Sequence, residues 1–191
     1  MGQRARLSTL WQGGRHDETH QVCGRVRVLR CSHLWGSAGA ATSRSAFLVI
    51  VEPTVSASAT GLTLETELEG SFNVADRTSS GGGEYSVMDG MTVLESGTFT
   101  LTGLVAFQFY GCGEVEGIEL PPDFCGGQAT FGFHFTSSAG DQRDGLIVVN
   151  CQIHDPGGQA PPGTSEGVTA NARGVNFNRH VTGDNLFVML S

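Results

Sequence analysis

Residues Gln128-Ala-Thr-Phe-Gly-Phe-His-Phe-Thr136, a polar connection, and Leu146-Ile-Val-Val-Asn-Cys-Gln-Ile153 have the pattern of a β-hairpin. In the first arm Phe131, Phe133 and Phe135 alternate with small or polar residues. A period of two places the three rings on one face of a strand, toward a core. The connection contains Gly140 and the pair Asp144-Gly145, which favour a chain reversal.

The register of this hairpin follows from where its turn lies. A turn centred near Asp141 makes every facing pair apolar, as a buried face requires. The pairs that this register predicts are Phe131 with Cys151, Phe133 with Val149, and Phe135 with Ile147.

The rest of the chain favours the same kind of structure. The 191 residues include 28 glycines, and short alternating runs recur without any long helical period. Leu62, Leu64 and Leu68 alternate with acidic or polar neighbours, as in a half-buried strand. The sequence therefore predicts an all-β fold, a single antiparallel β-sandwich or flattened barrel at residues 56–191, after a poorly structured or processed segment at residues 1–55.

The apolar run at residues 46–51 has two interpretations. With Arg44 before it and Ala57-Ser-Ala59 after it, the run resembles an export signal, which predicts a periplasmic or extracellular protein. Alternatively the run is a first β-strand that ends at Pro53, and the protein is then cytoplasmic. The run is too short for a transmembrane helix, which needs about 20 apolar residues.

Charge is distributed unevenly. Residues 1–55 contain seven arginines and three acids, a balance of +4, and residues 56–191 contain four arginines and sixteen acids, a balance of −12. An acidic β-domain repels the phosphate backbone, so we expect no nucleic-acid partner. A small-molecule substrate or ligand, with or without a cation, suits this composition better.

The cysteines predict one disulfide if the protein is exported. Cys112 and Cys125 flank an acidic loop, and a bridge between them would remove about 3 kcal/mol of unfolded-state entropy in the chain-closure model. Cys151 is then left as a buried thiol or as a competitor for Cys125.

One pattern is typical of a serine nucleophile. Gly163-Thr-Ser165-Glu-Gly167 matches G-x-S-x-G, in which a sharp turn exposes the serine. The strand before it and the helix after it that such an elbow needs are not predicted here. Ser165 is therefore a candidate nucleophile on the motif alone.

A second group of residues could bind a cation. Asp141, Asp144, Asp155 and Asp184 lie in predicted turns or strand ends, together with His154 and His180. Carboxylates and turn carbonyls favour Ca2+ over Zn2+, and the bound ion would polarise a carbonyl while His154 or His180 acts as general base. The alternative is that these are solvated turn acids and surface histidines.

The tail Pro161-Pro-Gly-Thr-Ser-Glu-Gly167, followed by Gly174-Val-Asn-Phe-Asn178, resembles that of small exported bacterial β-proteins of unassigned function. The chain is also similar to an acylhomoserine-lactone hydrolase recovered from environmental DNA, a similarity that implies hydrolase activity but rests on no motif. The metallo-lactonase signature His-x-His-x-Asp-His is absent from the sequence.

Two functions follow from the sequence. One is a cation-assisted hydrolase of a small ester or lactone, with His154, His180 and Ser165 as catalytic candidates. The other is a non-catalytic exported module that binds a ligand or a surface. Convergence of the named acids and histidines would support the first, and their dispersal would support the second.

Overall fold

The computed structural model describes residues 46–157, 160–172 and 174–191. This part of the chain forms strands and no α-helix, which confirms the all-β prediction, and no helix there could cross a membrane. The strands are β1 (Ala46–Ser58), β2 (Thr63–Asn73), β3 (Thr78–Asp89), β4 (Thr92–Cys112), β5 (Glu114–Val115), β6 (Ile118–Glu119), β7 (Phe124–Ser137), β8 (Gln142–Cys151), β9 (Gly167–Ala172), β10 (Val175–Thr182) and β11 (Asn185–Met189).

The main sheet closes on itself into an antiparallel barrel. Along the chain β1, β2, β3 and β4 pair in succession, and β4 then pairs with β7. Strands β7, β8, β9 and β10 continue the ring, and β10 returns to the C-terminal half of β1. We call this eight-stranded part the wide end of the barrel.

The other end of the barrel has fewer strands. There the N-terminal half of β1 pairs with β11, and β11 pairs with the first residues of β7. The ring at this narrow end is therefore β1, β2, β3, β4, β7 and β11. Since barrel diameter grows with strand number, the two ends differ in internal width.

One kink in the chain produces this difference. Strands β10 and β11 both run along β1 and are joined at Gly183, whose φ is +105° and where an added Cβ would lie 2.5 Å from the Thr54 Cα. The Thr54 hydroxyl donates a hydrogen bond of 2.7 Å to the Thr182 carbonyl and ties the kink to β1. After the kink β11 leans onto β7, so β8 and β9 belong to the wide end alone.

The predicted hairpin exists, but its predicted register is wrong. Phe131 lies opposite Ile147, Phe133 opposite Gly145 and Phe135 opposite Arg143. The turn is tighter than expected, because the amide of Ser137 already donates to the carbonyl of Asp141 at 2.8 Å. The register shift is an even number of residues, so the faces are preserved and all three rings are buried as predicted.

The β-fold begins earlier than predicted. We expected the β-domain to start at residue 56, whereas β1 starts at Ala46, and its Phe47 and Val49 are fully buried. The run at residues 46–51 therefore forms a strand that continues past Pro53, and cleavage after Ala59 would remove all of β1. The predicted unstructured segment at residues 1–45 lies outside the described residues. Export itself stays a prediction.

The stretch Ser79-Ser-Gly-Gly-Gly83 has a composition that is typical of a flexible turn. These residues lie within β3, and the turn before them is at residues 74–77. Added Cβ atoms would lie 2.0 Å from the Phe99 carbonyl oxygen at Gly82 and 1.8 Å from the Glu67 carbonyl oxygen at Gly83. The glycines therefore allow neighbouring strands to approach closely.

The disulfide prediction is confirmed, since Cys112 at the end of β4 is bonded to Cys125 near the start of β7. Cys151 remains a free, buried thiol, and burial together with the nearby Glu166 carboxylate raises its pKa to about 12. A buried thiol with a raised pKa stays protonated at neutral pH, which favours a packing role for Cys151.

Candidate functional site

The interior of the wide end is a cavity of about 350 Å3. Because side chains alternate between the two faces of a strand, every second side chain of each strand in the ring points into the barrel. At the narrow end these inward residues fill the barrel. At the wide end they line a space that they do not fill.

The cavity has a closed and an open side. The last lining residues toward the narrow end are Thr66 on β2, Phe99 on β4, Phe133 on β7 and Ile147 on β8, which are all buried. The next inward residues toward the narrow end, such as Phe131, belong to the packed core. The cavity is therefore a pocket with a floor and not a channel through the barrel.

The open side lies at the hairpin between β3 and β4. Leu94 lines the cavity and is 56% exposed, and Met91 at the hairpin tip is 97% exposed. The β3–β4 pairing shifts register between Val87 and Met88, and Val87 also lines the cavity. Apolar side chains of this hairpin therefore border the entrance.

Aromatic rings make the walls of the cavity. Phe99 packs edge-on against Phe133 with ring centroids 5.6 Å apart, and Tyr85 packs edge-on against Phe135 at 5.5 Å. Phe133 also covers Gly145, where an added Cβ would lie 2.7 Å from the ring. Rings that are packed against one another hold a preformed shape.

Few polar groups reach this apolar space. The Tyr85 hydroxyl donates a hydrogen bond of 2.9 Å to the Glu95 carboxylate, and both residues line the cavity. Deeper, Thr66 is 3% exposed, and its hydroxyl has no hydrogen-bond partner among the residues that the structure describes. Thr54, which faces Thr66 across β1 and β2, uses its own hydroxyl on the Thr182 carbonyl. Thr66 is thus the unsatisfied member of a buried pair.

The structure places two of the predicted metal ligands at the turn between β7 and β8. The Asp144 carboxylate lies 2.8 Å from Nδ1 of His134, and both side chains are exposed. The Asp141 amide donates a hydrogen bond to the Ser137 hydroxyl at 3.1 Å, which helps to close the turn. These acids lie on the outside of the barrel.

His154 and Asp155 lie at the opposite end of that hairpin. Asp155 Oδ1 accepts a hydrogen bond of 2.9 Å from the Cys112 amide, and His154 Nδ1 lies 2.8 Å from the Asp155 carbonyl oxygen. The Asp155 carboxylate therefore positions the backbone beside the disulfide. Asp184 is exposed in the kink between β10 and β11, where its carbonyl accepts from the Glu52 amide.

Within the described ranges, no three His, Cys, Asp or Glu side chains lie close enough together to hold a metal ion. Asp141 and Asp144 lie at one turn, Asp155 at another, and Asp184 at a third. The structure therefore does not bring the four predicted ligands together. Binding of Ca2+ or Zn2+ stays a prediction.

Two of the three catalytic candidates do share a location. Ser165 and His180 both line an outer groove of about 190 Å3, over the outer face of β8, β9 and β10. No hydrogen bond joins their side chains in the described part of the chain, and His180 Nδ1, packed against Gly167, has no partner there. His154 does not line the groove.

Glu166, also in the outer groove, has a structural role. Its carboxylate accepts hydrogen bonds from the Gln152 amide at 2.7 Å and from the Asn185 amide at 3.1 Å. These amides lie where β8 ends and β11 begins, so the carboxylate links the end of a wide-end strand to the start of a narrow-end strand. We call this position the fork between the two rings. Burial raises the pKa of Glu166 to about 6.

Sequence reasoning missed Thr66 and the cavity around it. We noted that Leu62, Leu64 and Leu68 alternate, but not that Thr66 occupies the inward position between Leu64 and Leu68. A single polar residue in an inward apolar series was the available signal. It could not reveal the cavity, which depends on the number of strands in the ring.

No family model, curated protein or solved structure matches the chain.

Proposed function

We propose that this protein binds a small apolar molecule inside the wide end of its barrel. The observation that carries the proposal is a preformed apolar cavity of about 350 Å3 that is closed at the bottom and open at one side. Small-molecule sites occupy roughly 300–1,000 Å3 and combine apolar walls with a few polar groups. The cavity has these properties, at the small end of the range.

The empty volume itself supports a binding role. Protein interiors are packed about as densely as organic crystals, and an unfilled apolar space costs stability because its lining atoms lose contacts. Larger side chains at lining positions such as Ala170 would remove that cost. A cavity that persists despite its cost is typical of a ligand site.

The dispersal of the predicted metal ligands also supports binding over catalysis. Hydrolysis of a small ester or lactone remains a second candidate, and the observation that favours it is the position of Ser165 and His180 in one outer groove. A nucleophile of this kind needs a base within hydrogen-bond reach and a group that orients the base. Glu166 does not fill that last role, because its carboxylate accepts from the Gln152 and Asn185 amides, and His180 Nδ1 has no hydrogen-bond partner among the described residues.

The test is a fluorescence titration of the full chain with a neutral naphthylamine dye that brightens in apolar surroundings. We expect saturable binding with one site, and displacement by small neutral organic molecules. Ala170→Phe places a ring into the cavity and should abolish dye binding. Leu146→Phe is the matched control, because Leu146 is 47% exposed on the outer face of the neighbouring strand and should leave binding unchanged.

Two results would contradict the proposal. One is an absence of saturable binding by a folded sample, and the other is equal binding by wild type and Ala170→Phe. The same protein should also be assayed against esters and acyl lactones, with chelator and then with Ca2+ or Zn2+ restored. Turnover that chelator abolishes and metal restores, with no dye binding, would favour the cation-assisted hydrolase. Turnover indifferent to chelator would favour Ser165.

A further inference from the structure

One buried hydroxyl lies in the floor of the apolar cavity. We infer that the cavity selects neutral molecules that carry a single hydrogen-bonding group, and that this group pairs with the Thr66 hydroxyl. The inference rests on the proposed binding function and names the chemical class of the ligand.

The position of Thr66 determines where the polar group of a ligand would lie. Thr66 is an inward residue of β2 between Leu64 and Leu68, it is 3% exposed, and it borders the cavity. A buried hydroxyl without a partner is costly, and a hydrogen bond to a ligand removes that cost. A hydroxyl can donate and accept, so the partner can be an alcohol, a ketone or a lactone carbonyl. The apolar part of the ligand then extends past the aromatic walls toward the rim.

Charge at the cavity excludes anions. Glu95 is the charged residue among the cavity-lining positions, and it lies near the entrance with its carboxylate hydrogen-bonded to Tyr85. A carboxylate ligand would meet this negative charge at the rim and would lose its water shell at the floor, where Thr66 supplies one hydroxyl. The strongly acidic balance of residues 56–191 adds to the repulsion.

A cationic ligand is disfavoured for a related reason. An ammonium group could lie near Glu95 at the entrance, but the floor offers it no carboxylate, since Thr66, Phe99, Phe133 and Ile147 are uncharged. A bound amine would therefore either keep its charge at the rim and leave the floor empty, or bury the charge without a partner. Both arrangements bind less well than a neutral group on Thr66.

The experiment compares four probes of equal chain length and one hydrocarbon in displacement of the neutral dye. The probes are 1-octanol, 2-octanone, octanoate and octylamine, and the hydrocarbon is octane. We expect 1-octanol and 2-octanone to bind most tightly and octanoate to bind about 100-fold more weakly than 1-octanol. Thr66→Val should weaken the binding of 1-octanol about fivefold, which corresponds to the loss of one hydrogen bond, and should leave the binding of octane unchanged.

Thr66→Ser is the control, because it retains the hydroxyl and should retain the preference for 1-octanol over octane. The proposed ligand class is wrong, although the cavity binds small molecules, under either of two results. One is that Thr66→Val binds 1-octanol as tightly as wild type does. The other is that wild type binds octanoate or octylamine as tightly as it binds 1-octanol. Failure of the dye and of all five compounds to bind wild type would overturn the binding function and this inference together.

Discussion

The two ends of the barrel share β1, β2, β3, β4 and β7, and they differ in the number of strands that complete the ring and in what fills the interior. At the narrow end Phe47 stacks on Phe72 with ring centroids 5.2 Å apart, and Phe72 packs edge-on against Phe131 at 5.3 Å. At the wide end equally buried rings, such as Phe99 and Phe177, border a cavity. Both ends follow the same inward alternation. Strand number in the ring, more than the kind of inward residue, therefore decides whether this barrel is packed or hollow.

The first way to test this contrast is to remove one ring from each end. Phe131→Ala at the narrow end should cost about 4 kcal/mol of unfolding free energy, because the ring is fully buried among other rings. Phe177→Ala at the wide end should cost about half as much, since that ring already borders empty space on one side. Urea denaturation of the two variants and wild type measures both values. Equal losses would mean that the wide end is packed in solution.

The second test concerns the fork where the narrow ring separates from the wide one. Burial raises the pKa of Glu166 from 4.5 to about 6 in the folded protein. The folded state therefore holds this proton more tightly than the unfolded state, so the Glu166 contribution to stability is greatest below pH 4.5 and is lost as pH rises through 6. The shift corresponds to about 2 kcal/mol.

The measurement is the unfolding free energy of wild type and Glu166→Gln between pH 4 and pH 7.5. The amide does not titrate, so the variant should lack this part of the pH dependence, and the difference between the two proteins should change by about 2 kcal/mol across the range. Parallel pH profiles would show that the carboxylate is not held between β8 and β11 as described. Gln152→Ala is a control that keeps the backbone amide and should keep the wild-type profile.

The smallest effect comes from the threonine pair that faces across β1 and β2. Thr66→Val removes an unsatisfied buried hydroxyl and should raise the unfolding free energy by about 1 kcal/mol in the absence of ligand. Thr54→Val removes the hydrogen bond to the Thr182 carbonyl and should lower it by about 1 kcal/mol. Thermal or urea unfolding compares the two valine variants. A loss of stability in both would mean that Thr66 is satisfied in solution.

Much of the local structure could be predicted from the sequence, because it depends on short-range periodicity. The burial of Phe131, Phe133 and Phe135 and the Cys112–Cys125 bridge are both confirmed. The hairpin register was wrong because it depended on the position of a turn, and a tighter turn at residues 137–141 also fits the composition. The alternation of apolar and polar residues determines which face of a strand is buried more reliably than it determines which residues pair across two strands.

The functional geometry could not be predicted, because it depends on long-range pairing. The ring closes only when β4 pairs with β7 and β10 pairs with β1, and no local sequence pattern predicts either pairing. The cavity follows from that closure and not from any motif. The same pairing brings Ser165 and His180 into one outer groove and keeps Asp141, Asp155 and Asp184 apart.

The most direct test of the account is a methyl NMR titration of the protein with 1-octanol. We expect shifts confined to methyl groups that line the cavity, those of Leu64, Thr66, Ile147 and Ala170, and none at Val49 and Val51 in the narrow end. Such a pattern would locate the ligand in the hollow end of the barrel. Saturation without shifts at the cavity methyls, or equal shifts at both ends, would show that the ligand does not bind inside the wide end of the barrel.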